Sequence, residues 1–338
     1  MVCELSPADI YLLNLQCESM HSQSEDQMIH LPIVTKESER VYLPLVVNVV
    51  SKYWGEQIDV NEVEGSAEIY RGVKSTIMIE GIELAEKHGL VSYIYKGSIS
   101  DVKKRVDQGI PSIVVMPGIQ ETIQHASIVC GYSNDERRIF TYVPEPDTIG
   151  AIPEVMFEND WEQEDMTTIV IVPKDIGAIL EKENLKFLNS NRLGFEVEKM
   201  KRQIPINEVI QRLKLALRKE EDNAQAWYIL GSLYNESNLP ECIGCYEKAV
   251  SLNPKLYLAY RGLGNYYLKN KEFIKAEDQY TKAIGINAKR YASIYKNRAV
   301  ARTEIGKHTE AKQDLVEYLA QLPNAHDRKS IEEAIREG

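Results

Sequence analysis

A pattern of apolar, small and aromatic residues that recurs after 33 positions limits what the C-terminal half of this chain can build. Trp227, Leu230, Gly231 and Tyr234 return as Tyr260, Leu263, Gly264 and Tyr267. A third copy keeps Tyr295 and Ala299, and its second half carries Gly306, Ala311 and Leu315 before Pro323 closes it. Spacings of three and four within each copy place these side chains on one helical face. Gly231, Gly264 and Ala299 then let a second helix approach closely, and Cys242, Ala276 and Ala311 fall at a facing small position. One helical pair of this size cannot bury its own apolar face, so the copies must stack and leave a concave surface.

That array accounts for less than half of the 338 residues, and a chain of this length is expected to hold two or three compact units. Hydrophobic residues at 43% suffice for separate cores. No apolar run is long enough to cross a bilayer, and residues 1–20 lack the basic, apolar and small-residue succession of a signal peptide, so a cytoplasmic location is expected. Five cysteines, at positions 3, 17, 130, 242 and 245, suit free thiols in a reducing compartment better than a disulfide framework.

The net charge of −11 is unevenly spread. Residues 1–173 carry 12 Lys and Arg against 28 Asp and Glu, and the remainder carries 28 against 23. No basic stripe on a recognisable nucleic-acid fold appears, which argues against nucleic acid as a partner. The imbalance suggests instead that the acidic part docks on the basic part, within one chain or between copies.

Before the repeats the pattern changes. Residues 1–30 match no motif and read as an extension. Leu43 to Tyr53 and Thr76 to His88 have helical spacing, the latter stopped by Gly89. Short β-branched and aromatic runs follow at Val91 to Tyr95, Ser112 to Met116, His125 to Tyr132, Arg138 to Val143 and Thr167 to Val172. A helix over Ser98 to Gln108, capped by Ser100 or Asp101 and ended by Gly109, lies between the first two. Helices followed by an antiparallel sheet predict an α+β domain over 31–173. Residues 174–203 then read as a helical linker and 204–338 as an all-α repeat domain with clear copies over 224–323. Ile206 to Glu220 reads as the second helix of a worn earlier copy.

The 33-residue pattern resembles tetratricopeptide repeats. That resemblance implies a groove lined by the first helix of each pair, on Tyr228, Arg261, Asn265, Lys296 and Asn297 among others, polar and partly basic. The implied partner is a protein or an acidic, extended peptide segment. Arg261, Asn265 and Asn297 resemble three members of the two-carboxylate clamp of chaperone-binding relatives, whose remaining basic positions fall near Asp327 and Ile331 and are missing here.

Residues 31–173 resemble the papain-like cysteine peptidases that remove double-glycine leader peptides. The matches are Leu43-Pro44 with Tyr53-Trp54-Gly55, then Lys96-Gly97-Ser98, Gly109-Ile110-Pro111 and His125-Ala126-Ser127-Ile128-Val129 with Gly131-Tyr132. Counted from Gly55, the family's cysteine falls on Tyr42 and its oxyanion glutamine on Lys36. Its histidine falls on His125, and its aspartate on Val143 or, with another gap, on Glu145. Acyl transfer needs a thiolate nucleophile, and a phenol with a pKa near 10 is a poor replacement. The two resemblances together therefore imply a pseudoenzyme that serves as an adaptor or scaffold, with the repeat groove recruiting a partner and the vestigial peptidase cleft as a second place for a peptide. The competing expectation is a peptidase or acyl transferase using Cys17 with His125, since Cys130 stands an odd number of residues from His125 on one strand and faces the other way. A third is a purely structural first domain.

Cys242-Ile243-Gly244-Cys245 has the spacing of a metal or redox motif, but no second pair or nearby histidine completes a site, so it reads as repeat packing. Neither a metal nor another cofactor is expected.

Overall fold

A computed structural model of the chain describes residues 26–32, 42–59, 62, 77–118, 124–143 and 148–337. These residues fall into two compact units, the first made of those up to Met116 and of His125–Arg202, the second of those from Gln203 onward together with the described ones of Pro117–Gln124.

The first unit is built on a seven-stranded sheet. In chain order its elements are β1 (Gln27–Met28), α1 (Tyr42–Tyr53), α2 (Ile77–Lys87), β2 (Val91–Lys96), α3 (Ile99–Asp107), β3 (Ser112–Pro117), β4 (Gln124–Ser133), β5 (Arg138–Val143), β6 (Thr148–Pro153), α4 (Glu154–Glu162), β7 (Thr167–Val172), α5 (Lys174–Leu180) and α6 (Leu188–Gln203). The strand order is β2-β7-β3-β4-β5-β6, with β1 also paired to β4. Antiparallel registers set Val91 opposite Val172, Ser112 opposite Val170, Ile128 opposite Tyr142 and Arg138 opposite Pro153.

Both faces of the sheet are covered, so its central strands are continuously apolar rather than alternating. On β3, Ile113 and Val115 join the core formed with Val46, Val50, Ile82 and Ala85 of α1 and α2. Val114 and Met116 join the opposite core, with Val102 and Val106 of α3 and Phe157 and Trp161 of α4. Trp54 ties α1 to the sheet by donating from Nε1 to the Ile171 carbonyl at 2.8 Å.

Three features differ from the sequence reading. The cap of α3 is Ser98, whose Oγ accepts from the Asp101 amide at 3.1 Å; Ser100 and Asp101 already lie inside the helix. Strand β6 and helix α4 are additional elements. Gly150 and a highly acidic helix sequence obscure them, and only Phe157 and Trp161 of α4 are buried. Residues 174–203 are not a free linker. Ile176 and Leu180 of α5 enter the first core, and a Cβ on Gly177 would come within 2.5 Å of Val91. Arg192 of α6 holds Glu86 at 2.7 Å, and Lys199 pairs with Glu83.

The second unit is helical throughout: α7 (Ile206–Leu217), α8 (Ala224–Glu236), α9 (Glu241–Leu252), α10 (Tyr257–Lys269), α11 (Phe273–Ile286), α12 (Ser293–Glu304), α13 (His308–Gln321) and α14 (Arg328–Glu337). Helices α8 with α9, α10 with α11, and α12 with α13 form antiparallel hairpins, each packed on the next. Helix α7 packs on α8 and buries Val209, Ile210, Leu213 and Leu217.

The glycines of the repeat have a different neighbour from the one expected. A Cβ on Gly231 would come within 2.8 Å of the Tyr246 ring, and one on Gly264 within 2.5 Å of the Tyr280 ring. A large aromatic side chain, rather than the small residue of the second helix, therefore requires glycine there. In the third hairpin the equivalent of those tyrosines is Asp314, and the equivalent of the glycines is Ala299. Asp314 is buried and accepts from Arg298 at 2.6 and 2.9 Å and from Arg302 at 2.9 Å.

Candidate peptide-binding groove

Helices α8, α10 and α12 contact one another in succession, so the positions expected to line a groove lie on neighbouring helices. Asn265 and Asn297 come together: Asn297 Nδ2 donates to Asn265 Oδ1 at 3.5 Å. The same oxygen accepts from the Tyr280 hydroxyl at 2.8 Å. The second hairpin thus fixes the orientation of the Asn265 amide. Tyr228 is half-buried with its ring 6.2 Å from that of Tyr246.

The two cations differ. Lys296 Nζ lies 2.7 Å from Asp327 Oδ2, and the Tyr318 hydroxyl donates to the other oxygen of Asp327 at 2.8 Å. The hydrogen bond from Lys296 holds the Asp327 carboxyl below the usual carboxylate range. Lys296, expected to line the groove, is thus largely neutralised by a residue 31 positions further on. Arg261 has no carboxylate partner among the described residues. Its guanidinium lies 4.9 Å from the centre of the Tyr291 ring, and its Nε is buried without a hydrogen-bond partner. Arg290, which the sequence reading did not single out, is fully buried 4.7 Å from the centre of the Tyr257 ring. The only sequence signal for these stacked pairs is the Arg290-Tyr291 dipeptide preceding α12, set against Tyr257 and Arg261 one turn apart.

Cys242 and Cys245 lie inside α9 and are buried, Cys242 in the repeat core. Burial pushes their thiols up to about 12 and about 11, so both are protonated at neutral pH. Among the described residues, no group of three or more His, Cys, Asp and Glu is placed to hold a metal ion. Nor is any helix among them long and apolar enough to cross a membrane.

In the first unit, Lys36, Glu145 and Cys17 lie outside the described residues. Tyr42 is the first residue of α1. His125 is the second residue of β4 and half-buried. Ala126, Ile128 and Cys130 enter the core beneath α1, whereas Val129 enters the opposite core. By strand alternation His125 shares the face of Val129, away from Cys130. Burial pushes the Cys130 thiol up to about 11.

No family model matches the chain. The human protein O-mannosyl-transferase TMTC3 is 28% identical over 144 residues, covering 42% of this chain and 16% of that protein. Tetratricopeptide repeat protein 37 of Xenopus laevis is 38% identical over 63 residues, 18% of this chain and 4% of that protein. The repeats of the second unit are of the tetratricopeptide kind. Among solved structures, the first tetratricopeptide domain of Spaghetti (RPAP3), bound to the HSP90 peptide SRMEEVD, shares 26% identity at a TM-score of 0.31, covering 33% of this chain and 93% of that one. The chain thus spans only a small part of the two relatives matched by sequence.

Proposed function

We propose that this protein is a non-catalytic adaptor whose tetratricopeptide groove holds a protein partner through an acidic, extended segment. The observation that carries the reading is Arg261, a cation on the groove helices with no carboxylate partner among the described residues, beside the paired amides of Asn265 and Asn297. An extended backbone presents carbonyl and amide groups that such amides can bond, and an acidic side chain complements the guanidinium.

The first unit is read as a papain-like domain without its nucleophile. Support comes from the start of α1 at Tyr42 and the packing of α1 on the sheet through Trp54. A phenol at the head of that helix cannot replace the thiolate of acyl transfer.

Fluorescence anisotropy with short acidic, neutral and basic peptides tests the reading. The full chain is expected to prefer the acidic peptide, more weakly as salt rises. Arg261→Glu should abolish that preference, whereas Lys296→Glu should weaken it less because Asp327 already offsets Lys296. Equal affinity for all three peptides, or thiol-dependent hydrolysis lost on alkylation of Cys17, would overturn it.

A further inference from the structure

The two ends of the sheet differ. At one end the outer edge of β2 is partly covered, since the Lys96 amide donates to the Lys186 carbonyl at 3.1 Å. At the other end stands β6, which among the described residues pairs with β5 alone. Its residues are half-buried or exposed, and Ile149 is 53% exposed.

The register shows which backbone groups face outward. The Glu154 amide donates to the Arg137 carbonyl at 2.9 Å, and that pair continues the unbroken β5–β6 register. Bonded and non-bonded pairs alternate along an antiparallel ladder, so Gly150 and Ile152 bond to β5, while Ile149 and Ala151 turn their amides and carbonyls to the open side. The Ala151 carbonyl accepts only a long bond, 3.3 Å, from Arg138 Nη1 at the surface. Pro153 has no amide to offer and ends the row. Outward backbone groups flanked by exposed apolar side chains are what an added strand pairs with.

The surroundings select what that strand carries. Strand β6 runs straight into α4, which holds Glu154, Glu158, Asp160 and Glu162 and no Lys or Arg. Of these, Glu154 is offset by Lys103 at 2.6 Å. In the first turn of the same helix, Val155 and Met156 are exposed. Pairing with a second copy would bring two such acidic helices together, which like-charge repulsion opposes.

We propose that the outer edge of β6 docks an extended, basic segment of a partner protein, which pairs with the backbone of Ile149 and Ala151 and sets apolar side chains over Ile149 and basic ones near α4. The site belongs to the first unit and does not rest on the groove reading.

Fluorescence anisotropy with the full-length chain and two fluorescein-labelled peptides, a Lys-Val repeat and a Glu-Val repeat, tests it. Wild type should bind the Lys-Val peptide at least about tenfold more tightly than the Glu-Val peptide. Ala151→Pro removes an outward amide and no bond to β5, so it should bind the Lys-Val peptide about tenfold more weakly while keeping the wild-type thermal midpoint. Gly150→Pro removes an inward amide and should lower the midpoint. Equal binding of the Lys-Val peptide by wild type and Ala151→Pro would overturn the proposal, as would equal affinity of wild type for the two peptides or no binding of either. A lowered midpoint for Ala151→Pro, or an unchanged one for Gly150→Pro, would overturn the register on which it depends. Sedimentation velocity covers the other occupant: a wild-type dimer that Ala151→Pro converts to monomer would assign the edge to a second copy instead.

Discussion

The Tyr280 ring occupies the space beside Gly264 so closely that a Cβ on Gly264 would lie 2.5 Å from it. Gly264→Ala gains helix propensity of about 1 kcal/mol but forces the ring, and the Asn265 amide bonded to its hydroxyl, to move. A net loss of about 1–2 kcal/mol is expected in urea unfolding. The double change Gly264→Ala with Tyr280→Ala should not pay the overpacking penalty again, and strict additivity of the two losses would contradict the proposed clash.

Arg105 of α3 is wholly buried and donates to Glu183 at 2.6 Å and Asp101 at 3.1 Å. Glu183 lies between α5 and α6, so this contact fastens the segment after β7 to α3. Arg105→Ala leaves Glu183 with Lys104 alone and Asp101 with the Tyr95 hydroxyl alone, and is expected to cost about 3 kcal/mol. Limited proteolysis should then cut near residues 181–187 faster than in wild type; unchanged cleavage would show that the segment is held by other contacts.

Burial pushes Glu277 upward, but hydrogen bonds from Lys307 and Arg302 outweigh it and hold the carboxyl below its usual range. A depressed folded pKa contributes stability above the unfolded value of about 4.3 and loses it as pH falls through the folded value. Thermal midpoints of wild type and Glu277→Gln should therefore differ at pH 7, by the equivalent of about 1 kcal/mol, and converge in acid. A gap that persists below about pH 3 would rule out this ionic origin.

The raised thiols of Cys130, Cys242 and Cys245 predict slow alkylation by iodoacetamide at neutral pH, with rates that rise in step with denaturant-induced unfolding. Peptide mapping by mass spectrometry measures each site. Rapid labelling of Cys242 in the native protein would revive a redox role for its CxxC sequence.

Much of the fold was legible because periodicity and turn residues are local. The strand Arg138–Val143 and the helix ended by Gly89 needed only a few neighbouring residues to be recognised. Strand β6 and helix α4 were not legible: β6 is held by register with β5, and α4 by two buried aromatic residues among acidic neighbours. In the candidate site, repeat spacing put Asn265 and Asn297 on the first helices of successive pairs but said nothing of the hydrogen bond between them. The neutralisation of Lys296 by Asp327 was not legible either, because repeat position says nothing about the partner a side chain finds on the next helix.

By itself the sequence determined that the second half is a stack of helical pairs, since a 33-residue recurrence of apolar and small residues admits few other packings. Tertiary structure decided which charges remain available and why each small residue is small. Both depend on contacts between helices, such as Tyr280 against Gly264 and Asp327 against Lys296, whose partners stand 16 and 31 positions apart.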